Sequence, residues 1–281
     1  TKQHIWRVNN FMTTAIIDAR AQLQNTIKEQ FLALPSNIRN ASSGIIWQGP
    51  SPVNGAKIMG IISGLKTKSD NDKTGTMAQI DILLADTHPM EAIRNGSDEA
   101  ICGNCPLRPD KTGTRICYVN LVFAPSSKFR AMVKGSYEFI TPEQVGIILA
   151  YRQRGVRFGS YGDPAMMPYE VASTILTVSG VRHTSYTHQW MEEWFDARHL
   201  DYSMASVDTV NTVEKLNAIH PGARFYTLVD AYNNLPANTI ACPSKSTERN
   251  ASGARKVTCA SCGLCAGTGR KAKNIAIIEG A

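Results

Sequence analysis

Residues 141–187 read TPEQVGIILAYRQRGVRFGSYGDPAMMPYEVASTILTVSGVRHTSYT. Thr141-Pro142-Glu143 has the chemistry of a helix start: a hydroxyl to cap, a proline for the first turn and an acidic residue beside it. That helix is predicted to run to Arg154. A strand over 156–160 follows, then a helix over 168–178 and a strand over 182–187. Strand and helix taking turns, with connections of a few residues, predict a parallel sheet with crossover helices.

The same alternation extends toward higher numbers. A helix is expected over 190–198, a strand over 201–206, a helix over 209–219, and strands over 223–229, 238–241 and 273–278. Toward lower numbers, 117–123 reads as a strand. Short β-like runs lie at 44–48, 57–63 and 77–84, the last two separated by a polar loop from Lys66 to Gly75 that includes Asp70. That loop lacks the glycine spacing of a P-loop. Residues 10–34 read as a helix with apolar residues at Ile16, Ile17, Leu23, Ile27, Phe31 and Leu34, stopped by Pro35. The fold class expected is α/β: a full or partial parallel β/α barrel (TIM-like) with an N-terminal α+β extension and a C-terminal cysteine-rich metal site. The expected organisation is 1–43 as N-terminal helix and linker, 44–100 as a small β-rich region, and 101–281 as the barrel-like domain carrying both cysteine groups.

Composition agrees with a chain that buries a core: 43% of residues are hydrophobic and 19% charged, unlike a disordered polymer. The apolar runs fall far short of the roughly 20 residues that span a bilayer. No basic segment followed by an apolar run opens the chain, so no secretory signal is expected. The expected compartment is the cytoplasm, and no membrane partner is expected. A formal charge of +7 favours an anionic partner such as a nucleotide or nucleic acid.

All seven cysteines fall in two groups. The first is Cys102-Gly-Asn-Cys105-Pro with Cys117. The second is Cys242-Pro with Cys259-Ala-Ser-Cys262-Gly-Leu-Cys265. Core cysteines behave as small hydrophobes and would scatter, whereas these sit among Gly, Pro, Asn, Ser and Lys. A Cys-x-x-Cys turn brings two thiolates to one metal at about 2.3 Å. Four thiolates suit a closed zinc site or a cubane iron–sulfur cluster. Three leave one metal position open, and His88, His183 or His188 are candidate fourth ligands that would make it a zinc site. A disulfide framework fits poorly with an odd count and a chain this long.

In barrels, function gathers at the C-terminal ends of strands, and those ends are polar here. The strand at 156–160 leads into Gly159-Ser160-Tyr161-Gly162-Asp163-Pro164. The strand at 182–187 leads through Tyr186 to His188. The strand at 201–206 leads to Asp208. His188, Asp208 and Tyr186 are the candidate catalytic side chains, and all these ends are expected to face one mouth.

With the cysteines and strand ends assembled, the chain resembles a divergent radical S-adenosylmethionine enzyme, and also a group of phage-encoded proteins of unknown activity. The resemblance covers roughly residues 100 to 281. It implies that Cys102, Cys105 and Cys117 hold a [4Fe–4S] cluster whose open iron binds S-adenosylmethionine. It implies that Gly159, Tyr161, Gly162, Asp163 and Pro164 form the turn that meets that cofactor. Cys242, Cys259, Cys262 and Cys265 would hold an auxiliary cluster. The reaction implied is hydrogen abstraction by a 5′-deoxyadenosyl radical, with an electron-donor protein as partner and, for a phage-encoded chain, the host cytoplasm as location. The family's usual spacing is Cys-x-x-x-Cys-x-x-Cys, whereas eleven residues separate Cys105 from Cys117. The competing expectation is a non-enzymatic nucleic-acid-binding protein with two structural zinc or iron–sulfur sites. A nuclease is disfavoured by the lack of a His-x-His pair and of a two-metal carboxylate cluster.

Overall fold

The computed structural model describes residues 2–68, 71–110, 112–245 and 248–278, and of residues 2–17 and 210 the backbone alone. Asp70 and the side chains of Ile16 and Ile17 lie outside the described residues. Two helices, α1 (Lys2–Ala33) and α2 (Ser36–Asn40), lead into β1 (Ser43–Pro50), β2 (Lys57–Ser63) and β3 (Ala78–Leu84). Three helices follow: α3 (Pro89–Asn95), α4 (Glu99–Cys102) and α5 (Ala124–Val133). The alternating part comprises β4 (Glu138–Phe139), α6 (Pro142–Arg152), β5 (Val156–Arg157), α7 (Tyr169–Ser179), β6 (His183–Thr184), β7 (Tyr186–Thr187), β8 (Met204–Val207), α8 (Val210–Ile219), β9 (Phe225–Val229), β10 (Thr239–Ala241), α9 (Cys259–Cys262) and β11 (Asn274–Ile278).

These strands form two sheets, one ordered β4-β1-β2-β3-β5-β6 and the other β10-β11-β9-β8-β7. In the first, β1, β2 and β3 are antiparallel neighbours, while β5 and β6 continue from β3 in parallel. The second is parallel throughout. The chain passes from one sheet to the other through a single residue, Ser185. Its N–H donates to the Cys265 carbonyl (3.1 Å) and its carbonyl accepts from Met204 N–H (3.0 Å). The mixed α/β class is as expected. A closed barrel is not formed, because among the described residues no pairing joins β4 to β10.

Local chemistry explains the helices that position the site. Thr141 caps α6 reciprocally with Gln144, Pro142 occupies the first turn, and Val145, Ile148 and Leu149 are buried at helical spacing. Gly146 lets α6 approach α7: a Cβ there would stand 2.6 Å from Val178 Cβ. The largest core cluster runs from Phe31 and Leu34 through β2, β3, α4 and α7 to Tyr202. It therefore crosses the expected boundary at 100/101, which falls inside α4. Among its described side chains, α1 docks by its C-terminal end. Phe31 stacks on Tyr151 at 3.9 Å, while Leu23 is 61% exposed.

Two expected elements are replaced. Residues 117–123 form no strand; Tyr118, Val122 and Phe123 are exposed, so the alternating pattern has no neighbouring strand to pair with. Residues 190–198 form no α-helix. Trp190 is drawn into the core, its Nε1 donating to the Ser206 carbonyl at 2.9 Å. The chain there takes two short 3₁₀ turns, Gln189–Met191 and Ala197–Asp201, with extended backbone at Glu192 between them. Among the described residues no helix is long and apolar enough to cross a membrane.

One buried ion pair fastens α5 to the middle of β3. Lys128 Nζ lies 2.7 Å from Asp81 Oδ2, and both side chains are nearly solvent-free. Removing one partner of such a pair strands a buried charge, whereas replacing both does not. Lys128→Met is expected to lower the unfolding free energy by about 3 kcal/mol. The double variant Asp81→Leu/Lys128→Met should recover most of that loss. Urea unfolding of the four proteins in the cycle measures it, and additive losses would contradict the assignment.

Candidate metal centre

The first cysteine group sits where three segments meet. The short helix α4 delivers Cys102, and the chain then turns through Gly103 to Cys105, whose N–H donates to the Cys102 carbonyl at 3.2 Å. Cys117 is brought back by its N–H donating to Leu107 carbonyl at 3.0 Å. Arg108 braces this loop. Its Nε and Nη2 grip Asp98 at 2.9 Å each, and Nη1 donates to the Gly103 carbonyl at 3.0 Å. Burial, then the fields of Asp98 and Cys105, hold the Cys102 thiol well above its usual pKa, with Cys117 near enough to add to the effect.

The turn at 159–164 lies directly under α4. Asp163 N–H donates to the Ile101 carbonyl at 2.7 Å. Gly162 has φ +76°, and a Cβ there would stand 2.8 Å from Ile82 Cβ and 3.2 Å from the Ile101 carbonyl oxygen. Only glycine fits both the backbone and the space. The Asp163 carboxylate accepts from Ala165 N–H (3.0 Å) on one oxygen, and from His188 N–H (2.8 Å) and Gln189 Nε2 (3.3 Å) on the other. Gln189 Nε2 also donates to the Cys102 carbonyl at 2.8 Å. Burial raises the Asp163 pKa, with the hydrogen bonds from Ala165 and His188 opposing.

His188 completes this site. Its Nδ1 is 3.4 Å from Cys105 Sγ and its Nε2 is 3.5 Å from Asp208 Oδ1. Burial opposes a charge on the ring, but Asp208 and Cys105 outweigh it and push the imidazole up to about 10. Of the three candidate fourth ligands, His188 is the one at the cysteines. His88 caps α3, accepting from Met90 N–H. His183 faces the Tyr202 carbonyl at 3.2 Å.

The second group lines one small, largely enclosed cavity: Cys242, Cys259, Cys262 and Cys265 surround it together with Tyr186 and Tyr226. Cys242 follows β10. Thr258 and Ser261 form a capping box that winds Cys259–Cys262 into α9, and Gly263 in the left-handed region turns the chain toward Cys265. Ser244 Oγ lies 3.2 Å from Cys242 Sγ and 3.6 Å from Cys259 Sγ. Burial pushes the Cys265 thiol up to about 12 against a hydrogen bond from Tyr186. The polar loop before β3 is a strap on this site: the Lys73 and Thr74 carbonyls accept from the N–H groups of Cys259 and Ala260, and Asp72 pairs with Arg249 and Arg255.

The expected single mouth thus divides in two. His188 and Asp208 join Cys102, Cys105, Cys117 and the Gly159–Pro164 turn, whereas Tyr186 belongs with the four-cysteine cavity. Sequence reasoning missed Gln189, Arg108 and the pair Arg157–Tyr118 (Nη2 to Oη, 2.8 Å). For Arg108 a signal existed, an arginine within the loop that follows the Cys-x-x-Cys turn. Among the described residues no three His, Cys, Asp or Glu side chains are gathered tightly enough for a single metal ion. The four thiols of the second group line a cavity.

No family model matches the chain, and no curated protein or solved structure shows significant similarity to it.

Gly162→Ala is expected to cost about 1–3 kcal/mol of unfolding free energy and to separate the turn from α4. Urea unfolding gives the first quantity. Iodoacetamide labelling followed by peptide mapping gives the second, with Cys102 alkylated several-fold faster than in the parent while Cys259 is unchanged.

Proposed function

We propose that the protein is an iron–sulfur enzyme of radical S-adenosylmethionine type acting on a nucleotide or nucleic acid. The observation that carries this reading is the contrast between the two cysteine sites. Four thiols enclose a small cavity on the second sheet, as a coordinatively complete cluster requires. Three thiols stand beside the Gly159–Pro164 turn at the C-terminal ends of parallel strands, as a cluster with one open position requires.

The residues present fit such groups. Each donor set is thiolate, the ligand type of iron–sulfur clusters. Tyr161 Oη and Gln189 Oε1 are buried beside the three-cysteine site without a partner among the described residues, and orphaned buried polar atoms are rare without a ligand or water to satisfy them. A bound cluster with S-adenosylmethionine would supply one-electron chemistry and hydrogen abstraction. Cys102, Cys105 and Cys117 would hold the cluster. Asp163 orients its surroundings: both carboxylate oxygens are engaged by the chain's own N–H groups, which leaves the backbone edge of the turn and the Tyr161 hydroxyl to meet a cofactor. Parallel strands β3, β5 and β6 in one sheet and β7, β8, β9, β11 and β10 in the other would supply the strand ends on which this chemistry is carried. The positive net charge supports an anionic substrate.

A second reading draws on His188. Its Nδ1 faces Cys105 while its Nε2 faces Asp208, the carboxylate–histidine arrangement that orients metal-bound imidazoles. Cys102, Cys105, Cys117 and His188, drawn together by one ion, would then be a structural zinc site in a non-enzymatic nucleic-acid-binding protein.

Anaerobic purification followed by iron, sulfide and zinc analysis decides between them. The iron–sulfur reading expects about four iron and four sulfide per cluster, with visible absorption bleached by dithionite. Substituting Cys105 should remove one cluster and leave the other. Stoichiometric zinc without sulfide would discard the radical mechanism in favour of the second reading, whose signature is nucleic-acid affinity that falls steeply with salt.

A further inference from the structure

Between the two cysteine sites the sheet carries a strip of polar side chains. Gln79 on β3, Arg157 on β5 and Thr184 on β6 are direct register partners across three parallel strands, so they project from the same face. By the same alternation Ile80 and Ile82 project from the other face of β3, and both are fully buried. Ser160 joins the strip through its hydroxyl, which donates to Gln79 Oε1 at 2.6 Å. Thr184 also lines the four-cysteine cavity. The strip ends on the other side at Tyr118, the residue after Cys117.

Arg157 is the charged member of the strip. Its Nη2 donates to Tyr118 Oη at 2.8 Å, while its Nε is buried with no hydrogen-bond partner among the described residues. Its neighbours place it between the cysteine groups: Tyr118 follows Cys117, and its register partner Thr184 lines the four-cysteine cavity. No carboxylate pairs with it among the described residues. Arg157 as a whole is half-buried, and a buried Nε with an unmade hydrogen bond costs stability. The Nε–Nη2 edge is the one that grips a carboxylate or phosphate with two parallel hydrogen bonds. One half of that edge, Nε, has no partner among the described residues; the other is held by the hydroxyl of Tyr118, a residue that is 73% exposed.

We propose that Arg157 is the binding residue for an oxyanion, a phosphate or carboxylate group of the substrate, held on the sheet face between the two cysteine sites. The anion replaces the Tyr118 hydroxyl on Nη2 and takes the unpartnered Nε. The assignment of the ligand as substrate rests on the enzymatic reading above. The binding itself does not, because no metal or electron is needed for it.

The test is isothermal titration of the protein as purified, with inorganic phosphate in one arm and acetate in the other, at constant ionic strength. Saturable binding is expected in one arm, which names the oxyanion. Arg157→Gln should weaken it at least tenfold and Arg157→Lys, which keeps the charge but loses the fork, several-fold. Arg94→Gln, on an exposed side chain of α3 away from the strip, should leave it unchanged. Circular dichroism and thermal unfolding establish that each variant is folded. Tyr118→Phe, which deletes only the competing hydroxyl, is expected to bind at least as tightly as the parent. Equal affinity in the Arg157→Gln and parent proteins, or no saturable binding in either arm, would overturn the proposal. Metal analysis of the same preparations keeps the two readings separable: Arg157-dependent binding in protein without iron or sulfide leaves this inference standing and removes the radical enzyme.

Discussion

The carboxylate of Asp163 holds the candidate centre together. It is buried, and it receives three N–H groups from two separate segments of chain. Its own N–H reaches a third segment, at Ile101. Through Gln189 the same network fixes the carbonyl of Cys102. Desolvating a carboxylate is expensive, and several donors offset that cost only when their geometry is satisfied together. The end of β5, the end of β7 and the cysteine turn therefore adopt their positions jointly. His188, whose N–H is one of the donors, is presented to Cys105 as a consequence.

The sequence made the alternating half of the chain legible, because its signals are local. The Thr141 cap, the spacing of Val145, Ile148 and Leu149, and the stop before β5 lie within a few turns of one helix. Strands at β2, β9, β10 and β11 were readable from their apolar runs. The grouping of the cysteines was also plain. What failed depended on partners distant in sequence. The run around Cys117 alternates like a strand but has no neighbour to pair with, so it became a loop carrying a ligand candidate. The stretch after Trp190 has helical spacing, yet the bond from Trp190 to Ser206 pulls it out of a regular helix. Tyr186 stands at the start of β7 with the four cysteines and His188 just beyond its end against Cys105, a separation along the strand that no local pattern announces.

The two cysteine sites are braced in different ways. The first is stitched largely by side chains: Arg108, itself gripped by Asp98, holds the Gly103 carbonyl, and Gln189, tied to Asp163, holds the Cys102 carbonyl. The second is stitched by backbone, from Lys73 and Thr74 on one flank and from Ser185 on the other. Arg224 adds to it by donating to the carbonyls of Leu264 and Gly267 at 2.9 Å each. A site built on side-chain contacts is sensitive to single substitutions. One built on main-chain contacts depends on the path of the chain as a whole.

That path has a consequence for assembly. The strand after the last cysteine, β11, inserts between β9 and β10 instead of adding to an edge. Until it arrives, β9 and β10 have no common neighbour, and Cys242 at the end of β10 has no fixed relation to Cys265. During synthesis the earlier sheet can form while the ribosome is still extending the chain, but the four-thiol cavity must wait for residue 278 to emerge. Any group held there is installed after translation of this region, into a sheet one of whose interior strands follows its other strands in the described chain.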